Sequence, residues 1–260
     1  KELTLKNLNT INEGLSKVIK GRGFKVDYLG TLEAVKVAED RAAIPKFARR
    51  RKNPGMAFYQ VEGGGRYNFD ALILKKPSIT NPNGKGEHHR FFLENRDDRL
   101  ARHKRGLKKV VATGSEGRRR YLEDTIAELE ATQRFASISD QEDHAASLMN
   151  MAIHEGAHAM YYRGSIEGRP EDRDPSLLSG APVAQEFIGR LQDNGVSKID
   201  KLRVSEYAAS NDAELFAEVT VFDKTGRRDE VPENVLRAYD ETVSKWKAGP
   251  LTRLQKEGGD

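Results

Sequence analysis

Two histidines and a glutamate in the stretch His154-Glu155-Gly156-Ala157-His158 have the residue types and the spacing of a metal-binding helix. Residues at i and i+4 lie one turn apart on the same helix face, so both imidazoles can reach one cation. Glu155 lies beside the first histidine, where a carboxylate can take a proton from a metal-activated water. The flanking residues are mostly apolar, which predicts a buried helix whose polar groups need a partner. The alternative is a chance match on an ordinary amphipathic helix.

The third ligand has to come from another part of the chain. No third histidine follows His158 at a short spacing, and His144 lies too far along the same predicted helix to share the ion. Downstream, Glu214 and Glu218 fall at i and i+4 behind a Ser-Asn pair that can cap a helix. Small and apolar residues separate the two glutamates, so we predict Glu214 as a ligand and Glu218 as the carboxylate that orients a ligand histidine. The alternative for this pair is a solvated acidic edge.

Together these motifs resemble a known family. The combination of His-Glu-x-x-His with Tyr207-x6-Glu214-x-Phe-Ala-Glu218 resembles the catalytic domain of anthrax lethal factor and its relatives. Those proteins are gluzincin-type zinc metallopeptidases, and many of them are encoded by bacteriophages and prophages. The similarity covers about residues 140–222, and a weaker similarity covers the stretch from Phe24 to Gly30.

The resemblance implies a role for each residue of the motifs. It implies a Zn²⁺ site with these ligands: His154, His158 and Glu214. Glu155 would be the general base, and Glu218 would support a ligand. Tyr207 would donate a hydrogen bond to the oxyanion that forms on the substrate carbonyl. Without the resemblance, Tyr207 would be interpreted as a core tyrosine that packs the start of a helix.

The pattern along the chain predicts an α+β fold that is predominantly helical, with a small β-sheet. Apolar residues recur at helical spacing from Leu5 to Ile19, and Asn53-Pro54-Gly55 is a strong breaker that divides an N-terminal helical extension (1–52) from a larger domain (53–260). Strands are predicted at 56–61, 67–74 and 88–93. Further helices are predicted at about 31–39, 95–110, 116–135, 141–163, 181–194, 207–222 and 232–247. The resemblance implies that the larger domain is a zincin-like metallopeptidase, and we expect one of its strands to bind the extended substrate.

The composition excludes some kinds of site. The chain has 260 residues and no cysteine, which excludes a disulfide framework and cysteine ligands, so a metal site must use histidines and carboxylates. No apolar run reaches the roughly 20 residues that a membrane span needs. The first residues lack both an initiator Met and the apolar core of a secretory signal, so we expect a processed piece or an excised domain of a longer protein.

One segment is strongly basic. Residues 99–120 contain nine Lys and Arg residues and a single acid, Glu116. Such a run can attract nucleic acid. No aromatic or glycine-patterned nucleic-acid motif accompanies it, so the sequence favours a solvated surface between two helices.

Three functional hypotheses follow from these observations. The leading one is a phage-derived zinc endopeptidase that acts on a protein or peptide substrate, such as a virion or host protein. The second is a structural component of a phage particle that keeps the zinc site and uses its basic surface to contact DNA or neighbouring virion proteins. The third is a nucleic-acid-binding module with an incidental motif. A catalytic site keeps an open position on the metal, whereas a structural site has four protein ligands.

Overall fold

The computed structural model describes residues 4–19, 28–31, 57–63, 67–74, 84–132, 144–163, 165–166 and 182–247. This part of the chain is predominantly helical, as predicted. Its eight α-helices are α1 (Leu5–Ile19), α2 (Gly84–Thr113), α3 (Glu116–Ala131), α4 (His144–Arg163), α5 (Pro182–Asp193), α6 (Lys198–Val204), α7 (Asp212–Lys224) and α8 (Glu233–Ser244). None of these described helices combines the length and the apolar character needed to cross a membrane.

Five short strands and two 3-10 turns (Ala208–Ser210 and Arg228–Glu230) complete the described secondary structure. Their bounds are β1 (Tyr28–Thr31), β2 (Ala57–Gly63), β3 (Tyr67–Leu74), β4 (Ser165–Ile166) and β5 (Trp246–Lys247). The backbone of β3 pairs parallel with β1 and antiparallel with β2, and β4 pairs antiparallel with β5. The predicted helix at 31–39 lies almost entirely outside the described residues, and the predicted boundary at 53–55 lies wholly outside them.

The prediction of a strand at 88–93 is wrong. These residues belong to α2, which runs without interruption from Gly84 to Thr113. No glycine or proline stands between 88–93 and Gly106, and the residues after Leu93 are rich in the good helix formers Leu, Arg, Lys and Ala. Because a helix propagates cooperatively, this preference extends back through the aromatic pair that suggested a strand.

The prediction of one continuous helix over 207–222 is also wrong. A single 3-10 turn covers Ala208–Ser210, and α7 begins only at Asp212. Between them Asn211 is extended (φ −168°, ψ 168°), and its side chain caps the new helix. The short helix α6 before this turn was not predicted, although Ser197 and Asp200 form a capping box at its start.

The core of the described molecule surrounds α4 and α7. All eight residues of α7 from Leu215 to Phe222 are buried, so this helix has protein on every side. Phe187 of α5 and Tyr239 of α8 pack against Phe216 with ring centroids 5.2 and 5.3 Å away. Burial of aromatic residues on this scale fixes the position of α7 beside α4.

Helix α1 packs tightly against α4. A Cβ atom at Gly14 would lie 2.5 Å from the carbonyl oxygen of Met149 and 2.9 Å from the Cβ of Ala152, so only glycine allows this approach. Further along, Val18 of α1 belongs to the same buried cluster as Ile153 of α4. The first helix of the chain therefore helps to hold the helix that carries the two predicted histidine ligands.

Candidate metal centre

Two packed helices bring the predicted ligands together. His154 and His158 lie one turn apart on α4, and Glu214 lies in the first turn of α7. Asn211 fixes the start of α7, because its side-chain oxygen accepts the backbone N–H of Glu214 at 3.0 Å. The ligand positions are therefore set by buried and capped helices, which hold side chains more firmly than loops do.

The three donor atoms form a nearly equilateral triangle. His154 Nε2 lies 3.0 Å from Glu214 Oε2, and His158 Nε2 lies 3.1 Å from the same oxygen. The two Nε2 atoms are 3.1 Å apart. The circumradius of such a triangle is about 1.8 Å, below the roughly 2.0–2.2 Å of metal–nitrogen and metal–oxygen bonds, so all three atoms can contact one ion. Among the described residues, these three side chains form a group that could hold a metal ion.

Hydrogen bonds alone cannot account for this triangle. If both Nε2 atoms donate to Glu214, the contact between the two imidazoles joins two donors. If one Nε2 atom carries no proton, its contact with an ionised carboxylate joins two acceptors. For every placement of protons, at least one of the three contacts is left without a hydrogen bond. A cation makes all three contacts attractive, so the geometry fits a metal ion better than it fits a purely hydrogen-bonded cluster.

A fully buried carboxylate lies behind His154. Glu218 Oε1 is 3.1 Å from His154 Nδ1, an ion-pair distance, although the angle at this contact is not that of a hydrogen bond. A carboxylate at this distance stabilises a proton on Nδ1 by its charge, even without the geometry of a hydrogen bond. With its proton on Nδ1, the imidazole keeps the lone pair of Nε2 for an ion.

A serine that the sequence analysis missed holds Glu218 in place. Ser205 is fully buried, and its hydroxyl donates to Glu218 Oε2 at 3.1 Å. The same Oγ accepts the backbone N–H of Ala208 at 2.8 Å, which fixes the turn after Tyr207. A serine three residues before a tight turn is a local signal for the second contact. No local signal points to the first, which joins residues 13 positions apart through the tertiary fold.

His158 has different surroundings from His154. Its ring is nearly parallel to that of Tyr162, with centroids 6.3 Å apart, and lies edge-on to His154 at 4.8 Å. Its Nδ1 is buried and has no hydrogen-bond partner among the described residues. The ring is therefore positioned by packing, whereas that of His154 is positioned by a carboxylate.

Tyr207 and Glu155 lie beside the donor triangle. The ring centroid of Tyr207 is 5.7 Å from that of His154, and the residue is 41% exposed, so one side of it faces solvent. Glu155 is buried on α4 and close enough to raise the pKa of both His154 and Tyr207. The structure therefore groups the predicted base and the predicted hydrogen-bond donor with the predicted ligands.

The carboxylates dominate the electrostatics of the site. Burial disfavours the charged form of His154, but its contacts with Glu214 and Glu218 outweigh burial and raise its pKa to about 10. Burial also opposes ionisation of Glu214, yet the two histidines hold its pKa well below the usual range. Burial raises the pKa of Tyr207, and the carboxylate of Glu214 raises it further. The site therefore favours positive charge, and Tyr207 keeps its proton and remains a hydrogen-bond donor.

His144 is the first residue of α4, and a separation of ten residues places it about 15 Å along the axis from His154. Its side chain lies outside the described set. Glu214 instead completes the donor triangle, in agreement with the geometric argument made from the sequence.

Comparisons of the chain with models of protein families, with curated proteins and with solved structures gave no match.

Proposed function

We propose that this protein is a zinc-dependent endopeptidase. The observation that carries the proposal is the donor triangle of His154, His158 and Glu214, with a buried Glu155 and a partly exposed Tyr207 beside it. Two imidazoles and one carboxylate are a common ligand set for catalytic zinc, which takes nitrogen and oxygen ligands and leaves a fourth position for water. The hard oxygen-rich sites that Mg²⁺ and Ca²⁺ prefer have a different composition.

The partial exposure of the ligands supports a catalytic site over a structural one. The side chains of His158 and Glu214 are 14% and 17% exposed. Structural zinc sites are closed by four protein ligands, whereas the described group has three. The partial exposure of these two ligands and of Tyr207 fits the open coordination position of a catalytic site.

Each residue of the site has a task in the proposed reaction. His154, His158 and Glu214 would hold a zinc ion, which would supply Lewis acidity and lower the pKa of a bound water molecule toward neutrality. Glu155 accepts the proton that this water loses as it attacks the peptide carbonyl, and returns a proton to the leaving amine. Tyr207 donates its hydroxyl proton to a hydrogen bond with the oxygen of that carbonyl as negative charge develops there. Glu218, held by Ser205, keeps the ring of His154 in place throughout.

The resemblance to lethal-factor-like peptidases supports the same assignment and suggests a phage origin. In such enzymes the substrate lies extended along a strand, and β1, β2 and β3 provide backbone strands of the required kind. We infer that the substrate is a protein or peptide in an extended conformation, and that it comes from a virion or a host.

A Glu155→Gln variant tests the proposal directly. We expect the native chain and the variant to hold one zinc ion each, because Glu155 is not a ligand. We also expect the variant to lose about 10²- to 10⁴-fold in peptide cleavage, because the amide cannot accept a proton. Metal content is measured by elemental analysis after gentle purification, and cleavage with a peptide library. Native protein that contains no zinc and gains no activity when zinc is added would contradict the proposal.

A Tyr207→Phe variant tests the role of the tyrosine. The phenyl ring keeps the packing against His154 but has no hydroxyl, so we expect zinc content to stay the same and kcat to fall about 10- to 10³-fold. Tyr121→Phe is the matched control, because Tyr121 is 63% exposed on α3. If both variants turn over at the native rate, Tyr207 is a packing residue and not a catalytic one.

A further inference from the structure

A second feature of the molecule, separate from the metal centre, is its uneven charge. The basic hairpin, defined as residues 99–120 in α2, the turn and α3, contains nine of the 44 Lys and Arg residues and one of the 40 Asp and Glu residues. It therefore carries a charge of +8, while the remaining 35 basic and 39 acidic residues leave the rest of the chain at −4. The net charge of +4 is therefore the sum of a strongly basic hairpin and a remainder of the chain that is net acidic.

The packing of the two helices directs these cations outward. The less exposed residues of α2 lie on one face, where a Cβ at Gly106 would contact Leu122 of α3 at 3.7 Å. That inner face consists of Leu100, His103, Gly106, Leu107 and Val110. The opposite side is exposed and consists of Ala101, Arg102, Arg105, Lys108, Lys109 and Ala112, with Lys104 and the apolar Val111 exposed at its edge. The helical period therefore gives α2 one face for α3 and one cationic face for solvent.

Most of the outward cations are not neutralised by other residues in the part of the chain that the structure describes. Lys104 pairs with Glu130 at 2.6 Å, and Arg119 pairs with Glu116 at 2.7 Å. Five cations of the hairpin have no ion-pair partner among the described residues: Arg102, Arg105, Lys108, Arg118 and Arg120. Unpaired like charges held side by side repel one another, and a polyanion relieves that repulsion.

The end of the hairpin that lies away from the turn is attached to the rest of the described molecule. Lys198 of α6 pairs with Glu128 of α3 at 2.6 Å, and Arg96 of α2 joins the two helices to each other by donating to the carbonyl oxygen of Thr132 at 2.7 Å. The cationic face is therefore presented by a supported pair of helices rather than by a flexible tail, so little ordering is needed on binding.

We propose that the basic hairpin binds the phosphate backbone of duplex DNA, without base specificity. B-DNA carries one negative charge per about 1.7 Å of axis, and its major groove, about 12 Å wide, admits a single helix. The cations from Arg102 to Lys109 extend over about 10 Å of α2, a length that spans several phosphates. The deep, narrow major groove of A-form RNA does not admit a helix.

Other polyanions fit this surface less well. Single strands are bound on several exposed aromatic side chains, whereas residues 99–120 contain no Phe, Tyr or Trp and a single exposed tyrosine, Tyr121, directly follows them. Anionic membranes favour helices with a broad apolar face, whereas the outer face of α2 has two alanines between its cations. The proposed DNA binding does not involve the metal centre, so a chelator should leave the affinity for DNA unchanged.

The test is fluorescence polarisation with a labelled 20-base-pair DNA duplex at increasing salt. For five phosphate contacts we expect log Kd to rise with log salt with a slope of about 4 to 5. A triple variant, Arg102→Gln, Arg105→Gln and Lys108→Gln, should bind at least tenfold more weakly at 0.1 M salt and lower that slope by about 3. Glutamine is a good helix former, and circular dichroism checks that α2 persists.

The matched control removes the same charge elsewhere. Lys6→Gln, Arg203→Gln and Arg237→Gln change exposed cations outside the hairpin, so the affinity should stay within about twofold of the native value. The proposal is overturned if the native chain shows no salt-dependent binding, or if the control loses as much affinity as the hairpin variant. Equal binding to duplex RNA, polyglutamate or phosphatidylserine vesicles at the same salt would overturn the assignment to duplex DNA.

Discussion

At the scale of single residues, one buried hydroxyl connects the two halves of the candidate site. Ser205 donates to Glu218, which lies behind His154, and accepts from the turn that follows Tyr207. A change at this serine therefore reaches both a predicted ligand and the predicted oxyanion donor. Ser205 is a positioning residue, because its hydroxyl acts on the site only through Glu218 and the turn.

We predict that Ser205→Ala weakens zinc affinity about tenfold, because loss of a group that orients a ligand costs about 10- to 100-fold in metal affinity. The variant leaves an oxygen of Glu218 and the N–H of Ala208 without their partner, so it should also lose about 1–3 kcal/mol of stability. Competition with a chelator of known affinity measures the first effect, and urea unfolding the second.

The control for Ser205 is another buried hydroxyl on the same core. Thr220 is fully buried on α7 and donates to the carbonyl oxygen of Phe216 at 2.8 Å. Thr220→Val removes a hydroxyl at nearly constant volume, so it should lower stability and leave zinc affinity unchanged. Equal zinc affinities for Ser205→Ala and the native protein would show that Ser205 is a structural residue only.

Most of the candidate site was predictable because its signals are local. The i, i+4 spacing of His154 and His158 and that of Glu214 and Glu218 follow from helix geometry alone. The distance between the two pairs is a tertiary property, as is the contact between Ser205 and Glu218. The spacing of the residues could therefore predict the ligands, but it could not predict which glutamate oxygen lies against which histidine nitrogen.

The raised pKa of His154 predicts a proton coupled to metal binding. Near pH 8 a histidine with a pKa of about 10 is charged in the metal-free protein, and it must lose its proton before Nε2 can bind an ion. We therefore expect His154 to contribute about one released proton per zinc ion at pH 8, beyond any proton that the zinc-bound water loses, and this proton alone to increase the apparent affinity about tenfold per pH unit from 7 to 9. A histidine with an ordinary pKa near 6.5 would release almost none.

Calorimetric titration with zinc in buffers of different ionisation enthalpy counts the released protons. Glu218→Gln removes one of the carboxylates that raise the pKa of His154, so this variant should release fewer protons at pH 8. An affinity that does not change between pH 7 and 9 in the native protein would contradict the prediction.

At the scale of helices and strands, the spacing of apolar residues predicted a helix well where one face of that helix is apolar, and predicted it poorly elsewhere. The predicted helices near 116–135, 181–194 and 232–247 match α3, α5 and α8 to within a few residues. The wrong strand at 88–93 arose because a long helix overrides a local aromatic pair, whereas the wrong bounds at 207–222 have a polar cause. Asn211 divides the predicted helix at 207–222, because its side chain caps α7 while its own backbone is extended.

The contact between α1 and α4 gives a prediction at this scale. In Gly14→Ala the new methyl group meets the carbonyl oxygen of Met149 at 2.5 Å, so one helix must move. Overpacking of this kind costs about 1–3 kcal/mol, while the better helix propensity of alanine returns up to about 1 kcal/mol. We expect a net loss of about 1–2 kcal/mol in urea unfolding of the full chain.

A second glycine supplies the control for this prediction. Gly189 lies inside α5, and a Cβ there meets no atom within 4 Å. Gly189→Ala should therefore stabilise the protein by about 0.5–1 kcal/mol through helix propensity alone. If Gly14→Ala raised stability by a similar amount, the tight approach of α1 to α4 would be wrong.

At the scale of the whole molecule, the basic hairpin and the candidate metal centre are neighbours. Arg99 near the base of the hairpin is close enough to Glu206 to lower its pKa, against the larger effect of burial, which raises it. Glu206 directly precedes Tyr207. The base of the basic hairpin and the turn that follows Tyr207 therefore belong to the same part of the described molecule.

The proposed ion also links distant parts of the chain. Glu214 is 56 residues from His158 and 60 from His154, and the three side chains join α4 to α7. Three carboxylates, Glu155, Glu214 and Glu218, surround His154 here, so a divalent cation relieves their repulsion in a medium of low dielectric constant. Metal binding should therefore stabilise the whole fold and not only the site.

We predict that zinc raises the melting temperature by about 5–10 °C. A ligand at 100 times its Kd adds about 2.7 kcal/mol, and each kcal/mol corresponds to about 2–4 °C in a domain of this size. Differential scanning calorimetry of the full chain with zinc and with a chelator measures the shift. Glu214→Ala should abolish it, whereas Glu233→Ala should preserve it, because Glu233 lies exposed on α8 and pairs only with Arg237. If Glu214→Ala binds zinc and melts like the native protein, Glu214 is not the third ligand.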